Sequence, residues 1–372
     1  MGYRSIDLKP GLLALLLLAA VPAWAQAPVL GLPPVPHAAA DAASPEKAAL
    51  GRTLFFDRRL SANGTLSCAL CHVPEQGFAQ NSLAISVGSE GRSLRRNAPT
   101  LLNVAFYERL FHDGRETGLE KQVWSPLLAA NEMANASAGD VVARVAALPD
   151  YAGRFERAFG GTPASMAAIG AALAAYERSL IAGDSRFDRW WFGGDRTALS
   201  EEERNGLHLF QFRAGCAQCH TIDDGHALFT DQRFHNTGTG HERAASSRRP
   251  VRVELVPGLV AEVKRDVLST FGEPAPADLG RMEATGDPAD RWTYRTPGLR
   301  NVALTAPYMH DGSLATLEDV VEFYDRGGGG DPDKADYLFP LGLDAAEKRA
   351  LVSFLRTLTG SNVAALAAAA RQ

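Results

Sequence analysis

Apolar residues recur at helical spacing in several separate stretches of the chain, and strict alternation of apolar and polar residues is nowhere sustained over a long segment. Helix signals stand at regular places: an Ala-rich run from Met166 to Leu180, capping boxes at Ser200/Glu203 and Asp344/Glu347, and a stop at Gly360. The pattern therefore predicts a mainly α-helical protein without a large sheet.

Breaks in this pattern predict the organisation of the chain. The segments 236–290 and 326–340 are rich in Gly, Pro and charged residues, which is typical of long loops. The turn Gly193-Gly194-Asp195 precedes the capping box at Ser200. We therefore place a domain boundary there, between residues 26–195 and residues 196–372.

Composition narrows the class of protein. The chain has 372 residues, of which 46% are hydrophobic and 22% charged, and 38 Lys+Arg against 43 Asp+Glu give a net charge of −5. At the usual ~150 residues per domain this length predicts two globular domains. The only dense basic runs are Arg95-Arg96 and Arg248-Arg249, so nucleic acid is excluded as the expected partner.

The first residues have the pattern of an export signal. Arg4 and Lys9 are basic, Leu12 to Val21 is apolar, and Ala23-Trp24-Ala25 is an A-x-A cleavage site. The apolar run falls short of the ~20 residues that span a bilayer. We expect residues 1–25 to be removed, which leaves an exported protein, in the periplasm, with no membrane span.

All four cysteines belong to two copies of one pentapeptide, Cys68-Ala69-Leu70-Cys71-His72 and Cys216-Ala217-Gln218-Cys219-His220. C-x-x-C-H is the attachment signature of c-type haem, in which two thiols bond to the porphyrin edge and the imidazole binds the iron. Disulfides, a zinc site and a pair of redox dithiols are the alternatives. None of them explains why a histidine follows both pairs, so the sequence predicts two covalently bound haem c groups.

The similarity between the halves extends beyond these motifs. A set of residues recurs later in the chain at one constant interval: Pro99, Leu101, Asn103-Val104-Ala105, His112-Asp113-Gly114 and Leu119-Glu120 return as Pro297, Leu299, Asn301-Val302-Ala303, His310-Asp311-Gly312 and Leu317-Glu318. The expected fold is thus two cytochrome c-like haem domains related by internal duplication.

Differences between the copies indicate where the chemistry lies. Tyr324, on a helix after a Thr316 cap, is a candidate second axial ligand to the His220 haem. The position at the same interval in the first copy is Pro126, which has no donor atom, so the His72 haem is expected to be open. Gln122 and Glu132 flank Pro126, and a carboxylate over an open haem can act as general acid and base toward H₂O₂.

At this point the sequence resembles the bacterial di-haem cytochrome c peroxidase family, and within it the MauG-like branch, over nearly the whole mature chain. The stretches that carry the resemblance are the two haem motifs, Arg96-Asn97-Ala98-Pro99-Thr100, His112-Asp113-Gly114-Arg115 through Asn131-Glu132-Met133, and Arg295 through Tyr324.

The resemblance implies roles for individual residues. Glu132 matches the catalytic glutamate, Gln122 the distal glutamine and Pro126 the distal-pocket proline. Tyr324 matches the axial tyrosine of the MauG-like branch, where ordinary family peroxidases carry methionine. A further set matches residues that hold a calcium ion between the haems: Asn97, Thr305 and Pro307.

Three departures from the family pattern bear on the mechanism. Gly88-Ser89-Glu90 stands where most family peroxidases carry a histidine that caps the resting first haem, which implies a haem open without prior reduction. His112 replaces the usual tryptophan between the haems, with Trp124 nearby. Ala214 stands where the MauG-like branch has a surface tryptophan, so oxidation of precursor methylamine dehydrogenase is not supported.

Other candidate ligands have simpler interpretations. His112 and His310 lie in the repeated His-Asp-Gly turns and are expected to be structural, and Met309 to serve turn geometry. Trp190-Trp191 and Trp292 are expected to pack, because large aromatic side chains mostly do.

The sequence thus predicts a periplasmic di-haem c-type peroxidase or oxidase. Hydrogen peroxide would react at the His72 haem with help from Glu132, and oxidising equivalents would pass through the His220/Tyr324 haem to an external donor. One rival is a plain peroxidase that takes electrons from a small cytochrome c or a cupredoxin. A second is a non-enzymatic di-haem electron carrier. The resemblance leaves open whether the chain forms a homodimer.

Overall fold

The computed structural model describes residues 29–36, 44–247, 251–256, 259–263 and 278–371. The predicted export signal, residues 1–25, lies outside these ranges. Within them, every helix is too short or too polar to cross a bilayer.

The described chain is mainly helical, as predicted. Its α-helices are α1 (Pro45–Phe56), α2 (Cys68–Cys71), α3 (Leu119–Gln122), α4 (Trp124–Leu128), α5 (Ala138–Ala147), α6 (Arg154–Ala158), α7 (Met166–Ser179), α8 (Arg186–Trp191), α9 (Glu201–Gln211), α10 (Thr239–Ser247), α11 (Met282–Thr285), α12 (Leu317–Asp325), α13 (Ala345–Arg356) and α14 (Val363–Ala370). Short 3₁₀ turns join several of them. The strands are β1 (Phe234–His235), β2 (Val251–Val256), β3 (Leu259–Val263) and β4 (Tyr294–Arg295).

The strands form two small antiparallel pairs, β1 with β4 and β2 with β3. The segment 236–290, expected to be a loop, therefore contains α10, α11 and the β2–β3 hairpin. In β2 the sequence Val-Arg-Val-Glu-Leu-Val largely alternates apolar and charged residues, and Pro-Gly follows it, which together favour a hairpin. The other expected loop, 326–340, does run in turns and irregular chain.

Each half is built on one pair of crossing helices. α1 crosses α7 at Gly51, where a side chain would overlap the carbonyl of Ala172. α9 crosses α13 at Gly206, where a side chain would overlap the carbonyl of Ala350. Glycine is needed at both crossings because the two backbones are in direct contact.

Two large apolar clusters lie around these crossings. The first includes Leu54, Phe55, Phe78 and Ile169, and the second includes Phe210, Phe229 and Phe354. The residues of the two clusters are not divided at a single point along the chain. Phe187 of α8 packs in the second cluster, whereas Val363 and Ala370 of α14 return to the first. The division at Gly193-Gly194-Asp195 stays a prediction.

The repeated sequence positions have matching local geometry. Asn103 and Asn301 are both left-handed, with φ of 63° and 64°, and both donate their backbone N–H to the segment after the crossing helix. Phe111 and Met309 are left-handed as well, with φ of 66° and 72°. The isolated bridges Leu110–Glu116 and Tyr308–Leu314 close equivalent turns. These correspondences are compatible with an internal duplication.

Candidate functional site: two haem-attachment motifs with different surroundings

The first haem motif is one turn of helix. Ser67 precedes α2, and the backbone N–H of His72 donates to the carbonyl of Cys68 at 2.9 Å. Nδ1 of His72 lies 3.2 Å from the carbonyl oxygen of the buried Phe78. This hydrogen bond fixes the ring and leaves Nε2 as the nitrogen for iron.

The second motif repeats the arrangement in a 3₁₀ turn, Cys216–Gln218. The backbone N–H of His220 donates to the carbonyl of Cys216 at 2.9 Å, and Nδ1 lies 2.8 Å from the carbonyl oxygen of Phe229. Phe78 and Phe229 share a left-handed backbone, with φ of 54° in each. That conformation turns each carbonyl toward its histidine, so both rings are held in the same way.

The donor set fits haem c. All four cysteines are free thiols. Burial lowers the pKa of His72 and of His220, which favours the neutral imidazole that binds iron. Haem has a large apolar face, and each motif lies against its own apolar cluster, Cys68 against the first and Cys216 against the second.

The same placement argues against a zinc ion shared by the two pairs, because the pairs belong to different cores. The disulfide alternative likewise finds no support in the free thiols. The residues present would therefore hold two haem groups through Cys68, Cys71 and His72 and through Cys216, Cys219 and His220, as the motifs predict.

Gln122, Pro126 and Glu132 belong to one short segment that runs from α3 through α4 into the turn after it. Gln122 ends α3 and Pro126 lies one helical turn later in α4, so the two share a helix face. The chain then turns back: Met133 donates its N–H to the Pro126 carbonyl at 3.1 Å, and Glu132 donates to the Ala129 carbonyl at 2.9 Å.

The carboxylate of Glu132 faces the first haem motif. Burial raises its pKa, and the Arg115 guanidinium opposes this shift. The Cys71 thiol also has a raised pKa, first because it is buried and then because the Glu132 carboxylate is near. None of the described side chains hydrogen-bonds this carboxylate, so it is available to a small molecule.

Gly88, Ser89 and Glu90 stand where most family peroxidases have a capping histidine, and here this loop packs against the backbone of Glu132. Ser89 donates its backbone N–H to the Glu132 carbonyl at 2.9 Å. A side chain at Gly88 would overlap the carbonyl of Asn131, and the side chain of Glu90 is exposed. This loop therefore presents no ligand side chain that competes for the first haem.

In the second half, Tyr324 lies beside the haem motif. It belongs to α12, which begins with a capping box of Thr316 and Asp319. Burial raises the pKa of the Tyr324 phenol, and the Cys216 and Cys219 thiols raise it further, which places the phenol near both attachment points. Met309, the other candidate ligand, lies in a tight left-handed turn, like Phe111 in the first half.

Histidines and amides connect the two halves. Nε2 of His112 lies 3.0 Å from the Asn97 carbonyl oxygen, and Asn97 donates its N–H to the His310 carbonyl at 2.7 Å. Burial lowers the pKa of His112 to about 4, so the ring is neutral. The His310 ring stacks on Tyr294 with centroids 3.7 Å apart. Both histidines thus have structural contacts, as expected. Among the tryptophans, Trp124 is buried in the first cluster, Trp190 packs against the second, and Trp292 meets the His241 ring edge to face. Trp191 stacks on Phe187 and is 36% exposed.

The calcium residues have mixed surroundings. The Asn97 side-chain amide donates to the Ala84 carbonyl at 2.9 Å, which leaves its Oδ1 as a free acceptor. The Thr305 hydroxyl donates to the Val302 carbonyl at 3.2 Å. Calcium held by Asn97, Thr305 and Pro307 stays a prediction.

Sequence reasoning missed two features. Glu177 is a carboxyl buried in α7 near Cys68, and burial raises its pKa to about 8. Asp231, His235 and Tyr337 form a hydrogen-bonded row beside Cys219. Glu177 lies near the end of an Ala-rich helix, and Tyr337 is far from His235 along the chain, so neither gives a local signal in the sequence.

Several known proteins are similar to this chain. The model of the di-haem cytochrome c peroxidase family matches residues 45–197. Cytochrome-c peroxidase IdrP1 of Denitromonas iodatirespirans is 38% identical over 96% of this chain and 94% of its own length. The methylamine utilization protein MauG of Methylorubrum extorquens is 37% identical, over 87% of this chain and 81% of its own.

A solved structure shows the same fold. A MauG-like protein associated with microbial copper homeostasis superposes with a TM-score of 0.69 at 34% identity, covering 93% of this chain and 96% of that one. The two haem motifs, the helical fold and these relatives all indicate the same family. The chain is an oxidoreductase that belongs to the di-haem cytochrome c peroxidase family.

Proposed function

We propose that H₂O₂ reacts on the His72 side of the molecule and that oxidising equivalents leave by way of the His220/Tyr324 side to an external donor. The observation that carries this proposal is an asymmetry between equivalent positions. Pro126, without a donor atom, stands in the first copy at the sequence interval that leads to Tyr324 in the second, where the phenol is near the cysteines of the motif. The carboxylate of Glu132 lies only in the first half.

When bound, haem supplies the iron that accepts and releases electrons. The chain supplies the proton transfers. The Glu132 carboxylate would take a proton from one oxygen of H₂O₂ and give it to the other as the O–O bond breaks, so that the second oxygen leaves as water while bound haem would supply the electrons. Because burial raises its pKa, this carboxylate is a stronger base toward H₂O₂ than an exposed glutamate is.

Gln122 and Pro126 shape the space around this transfer. The Gln122 amide, on the same helix face as Pro126, can donate an N–H to the peroxide and accept from it. Pro126 adds no group that would bind iron, which keeps the position open for H₂O₂. The loop at Gly88-Ser89-Glu90 fixes the Glu132 backbone.

Tyr324 gives the second side its separate task. A phenolate oxygen is an anionic donor and favours the oxidised metal more than a methionine sulfur does. Tyr324 would therefore favour the oxidised form of the second haem if it binds that iron, which suits a MauG-like role in which a protein or other donor is oxidised at a distance. The predicted export signal supports a periplasmic location, and calcium and a homodimer belong to the same proposal.

A second candidate is an ordinary cytochrome c peroxidase that draws electrons from a small cytochrome c or a cupredoxin. The name of the Denitromonas relative favours it. This candidate predicts rapid turnover with reduced cytochrome c. The non-enzymatic electron carrier predicts two six-coordinate haems and no fast reaction with peroxide.

One experiment separates the three. The as-isolated diferric protein is mixed with one equivalent of H₂O₂, without reductant, and the Soret and near-infrared spectra are followed. We expect a fast change that involves both haems. A reaction that begins only after one haem is reduced would favour the ordinary peroxidase, and no reaction in either state would leave the electron carrier.

A further inference from the structure

Three side chains form a hydrogen-bonded row that ends at the second haem motif. The Tyr337 hydroxyl lies 2.6 Å from Nδ1 of His235, and Nε2 of His235 lies 2.7 Å from Oδ2 of Asp231. The Tyr337 oxygen is also 3.7 Å from Sγ of Cys219. The row therefore connects a haem-attachment atom to a base.

The direction of the hydrogen bonds follows from the chemistry of the groups. Asp231 is held by the backbone N–H of Arg233, which donates to its Oδ1 at 2.9 Å. A carboxylate only accepts, so His235 must donate from Nε2. The hydrogen bond to the Cys219 thiol is the first cause that raises the pKa of His235 to about 9, and this cause is gone once Cys219 is bonded to haem as a thioether. In the neutral ring Nδ1 then carries the lone pair and accepts the Tyr337 proton.

The row is built into the fold from separate segments. His235 lies in β1, which pairs with β4, and Asp231 lies just before that strand. Tyr337 comes from the loop after α12. The His235 and Tyr337 rings meet edge to face, with centroids 5.8 Å apart. Tyr337 is 36% exposed and Phe339 is 56% exposed, so the outer end of the row opens on solvent.

A metal site is the competing interpretation, because Cys219, Asp231 and His235 lie close enough to share an ion. Once Cys219 is bonded to haem, its sulfur is a thioether and no longer a thiolate ligand. Two protein donors then remain, fewer than the three or four of a zinc site. The row is better suited to moving a proton.

We propose that Tyr337 is a one-electron oxidation site through which the second haem draws electrons from an external donor. This inference rests on the proposed function, since peroxide must first oxidise the haems. Tyr337 gives one electron to the oxidised haem and its phenol proton to Nδ1 of His235, which forms a neutral tyrosyl radical and an imidazolium paired with Asp231. An external donor then returns the electron at the surface, and His235 returns the proton.

In this arrangement Tyr337 takes the place of the surface tryptophan that the MauG-like branch has at the position of Ala214. The phenol lies beside Cys219 and also reaches solvent, so no further aromatic residue is needed between haem and donor. His235 lowers the cost of the step because a phenol that loses an electron must also lose its proton, and the acceptor is already hydrogen-bonded.

The test traps the radical and locates it. Holoprotein is mixed with one equivalent of H₂O₂ and the nitroso trap 2-methyl-2-nitrosopropane, without donor, and the adduct is mapped by peptide mass spectrometry. We expect an adduct on Tyr337 in the wild type and none in Tyr337→Phe. In His235→Phe, which keeps a ring but removes the acceptor, the Tyr337 adduct should fall by about tenfold or more.

Tyr151→Phe is the matched control, because Tyr151 also donates to a carboxylate, Asp57 at 2.8 Å, but lies buried in the first core. It should leave the Tyr337 adduct unchanged. Haem spectra recorded in the same samples distinguish the two ways to fail. Haems that react while the adduct forms elsewhere would overturn this inference alone, and haems that do not react would overturn the proposed function.

Discussion

The two halves of the molecule hold a histidine in the same way and then surround it differently. In both, a left-handed phenylalanine offers its carbonyl to Nδ1, and a glycine lets two helices cross. Beyond this frame the first half has Pro126 and a free carboxylate, and the second has a phenol beside the motif. A shared frame can thus serve two tasks through a few side chains.

The helix crossing shows how local the differences are. Tyr176 and Phe354 occupy equivalent places, each next to the crossing glycine. The following residues are Glu177 in the first half and Leu355 in the second, and both are buried. At matching positions, the first half thus has a buried carboxyl and the second an apolar side chain.

Removing the Glu132 carboxylate should have the largest effect on the difference between the two halves. Glu132→Gln should slow the reaction with H₂O₂ by about 10² to 10⁴, the usual contribution of a positioned acid or base. The wild-type rate should fall as pH decreases through the raised pKa of Glu132, since only the carboxylate accepts a proton, and the variant should lack this step. Stopped-flow spectroscopy measures both.

Glu90→Gln is the control for Glu132→Gln, because Glu90 is an exposed carboxylate on the loop that supports Glu132. Its peroxide rate should match the wild type. An unchanged rate in Glu132→Gln itself would remove the acid/base assignment.

Changing Tyr324 to methionine should make the second haem resemble that of ordinary family peroxidases. The reduction potential of that haem should rise by on the order of 0.1 V, within the roughly 0.8 V that axial ligands span. Spectroelectrochemistry should show the first haem unchanged. Tyr308→Phe, which removes a phenol hydroxyl from the same half, should change neither, and an unaltered spectrum in Tyr324→Met would mean that the ligand is another residue.

Because the two halves share the same helix crossing, a side chain added at either crossing glycine should destabilise the fold to a similar extent. Gly51→Ala and Gly206→Ala should each lower the free energy of unfolding by about 1–3 kcal/mol, because an added methyl meets a helix carbonyl at both. Gly139→Ala, in α5, meets nothing closer than 3.5 Å and should leave stability nearly unchanged. Urea unfolding followed by circular dichroism tests this, and a loss at only one crossing would show that the two frames are not equivalent.

A separate, pH-dependent effect on stability should come from Glu177. Burial raises its pKa in the folded state to about 8, against 4.5 for an exposed glutamate. The stability that depends on its protonated form is complete below pH 4.5 and is lost as pH rises through 8. Between pH 5 and pH 9 the Tm of the wild type should therefore fall relative to Glu177→Gln, by roughly 2–4 °C for each kcal/mol lost.

Glu156→Gln, on the exposed side of α6, serves as the reference for that comparison and should follow the wild type at every pH. Parallel Tm curves for the wild type and Glu177→Gln would contradict the raised pKa.

Much of the frame could be predicted because its signals are local. The capping boxes at Ser200 and Asp344 form as expected, since both partners lie within one turn. The haem motifs are equally local. Tyr324 and Pro126 emerged only because the repeat supplies an internal comparison.

What could not be predicted depends on distant contacts. Glu177 is buried by the helices and the motif packed around it, and an isolated helix does not reveal which of its faces is covered. His235 and Tyr337 meet only because β1 and the loop after α12 are brought together. The hairpin at Val251–Val256 did have a local signal, which the surrounding Gly, Pro and charged residues obscured.

The return of α14 to the first core brings together segments that lie far apart in the sequence. Val363 and Ala370 complete the cluster that lies against Cys68, and Arg371 pairs with Glu75 at 2.8 Å, close after the first motif. These residues follow the whole second half along the chain, so the first core is complete only when a segment from beyond the second half has packed against it.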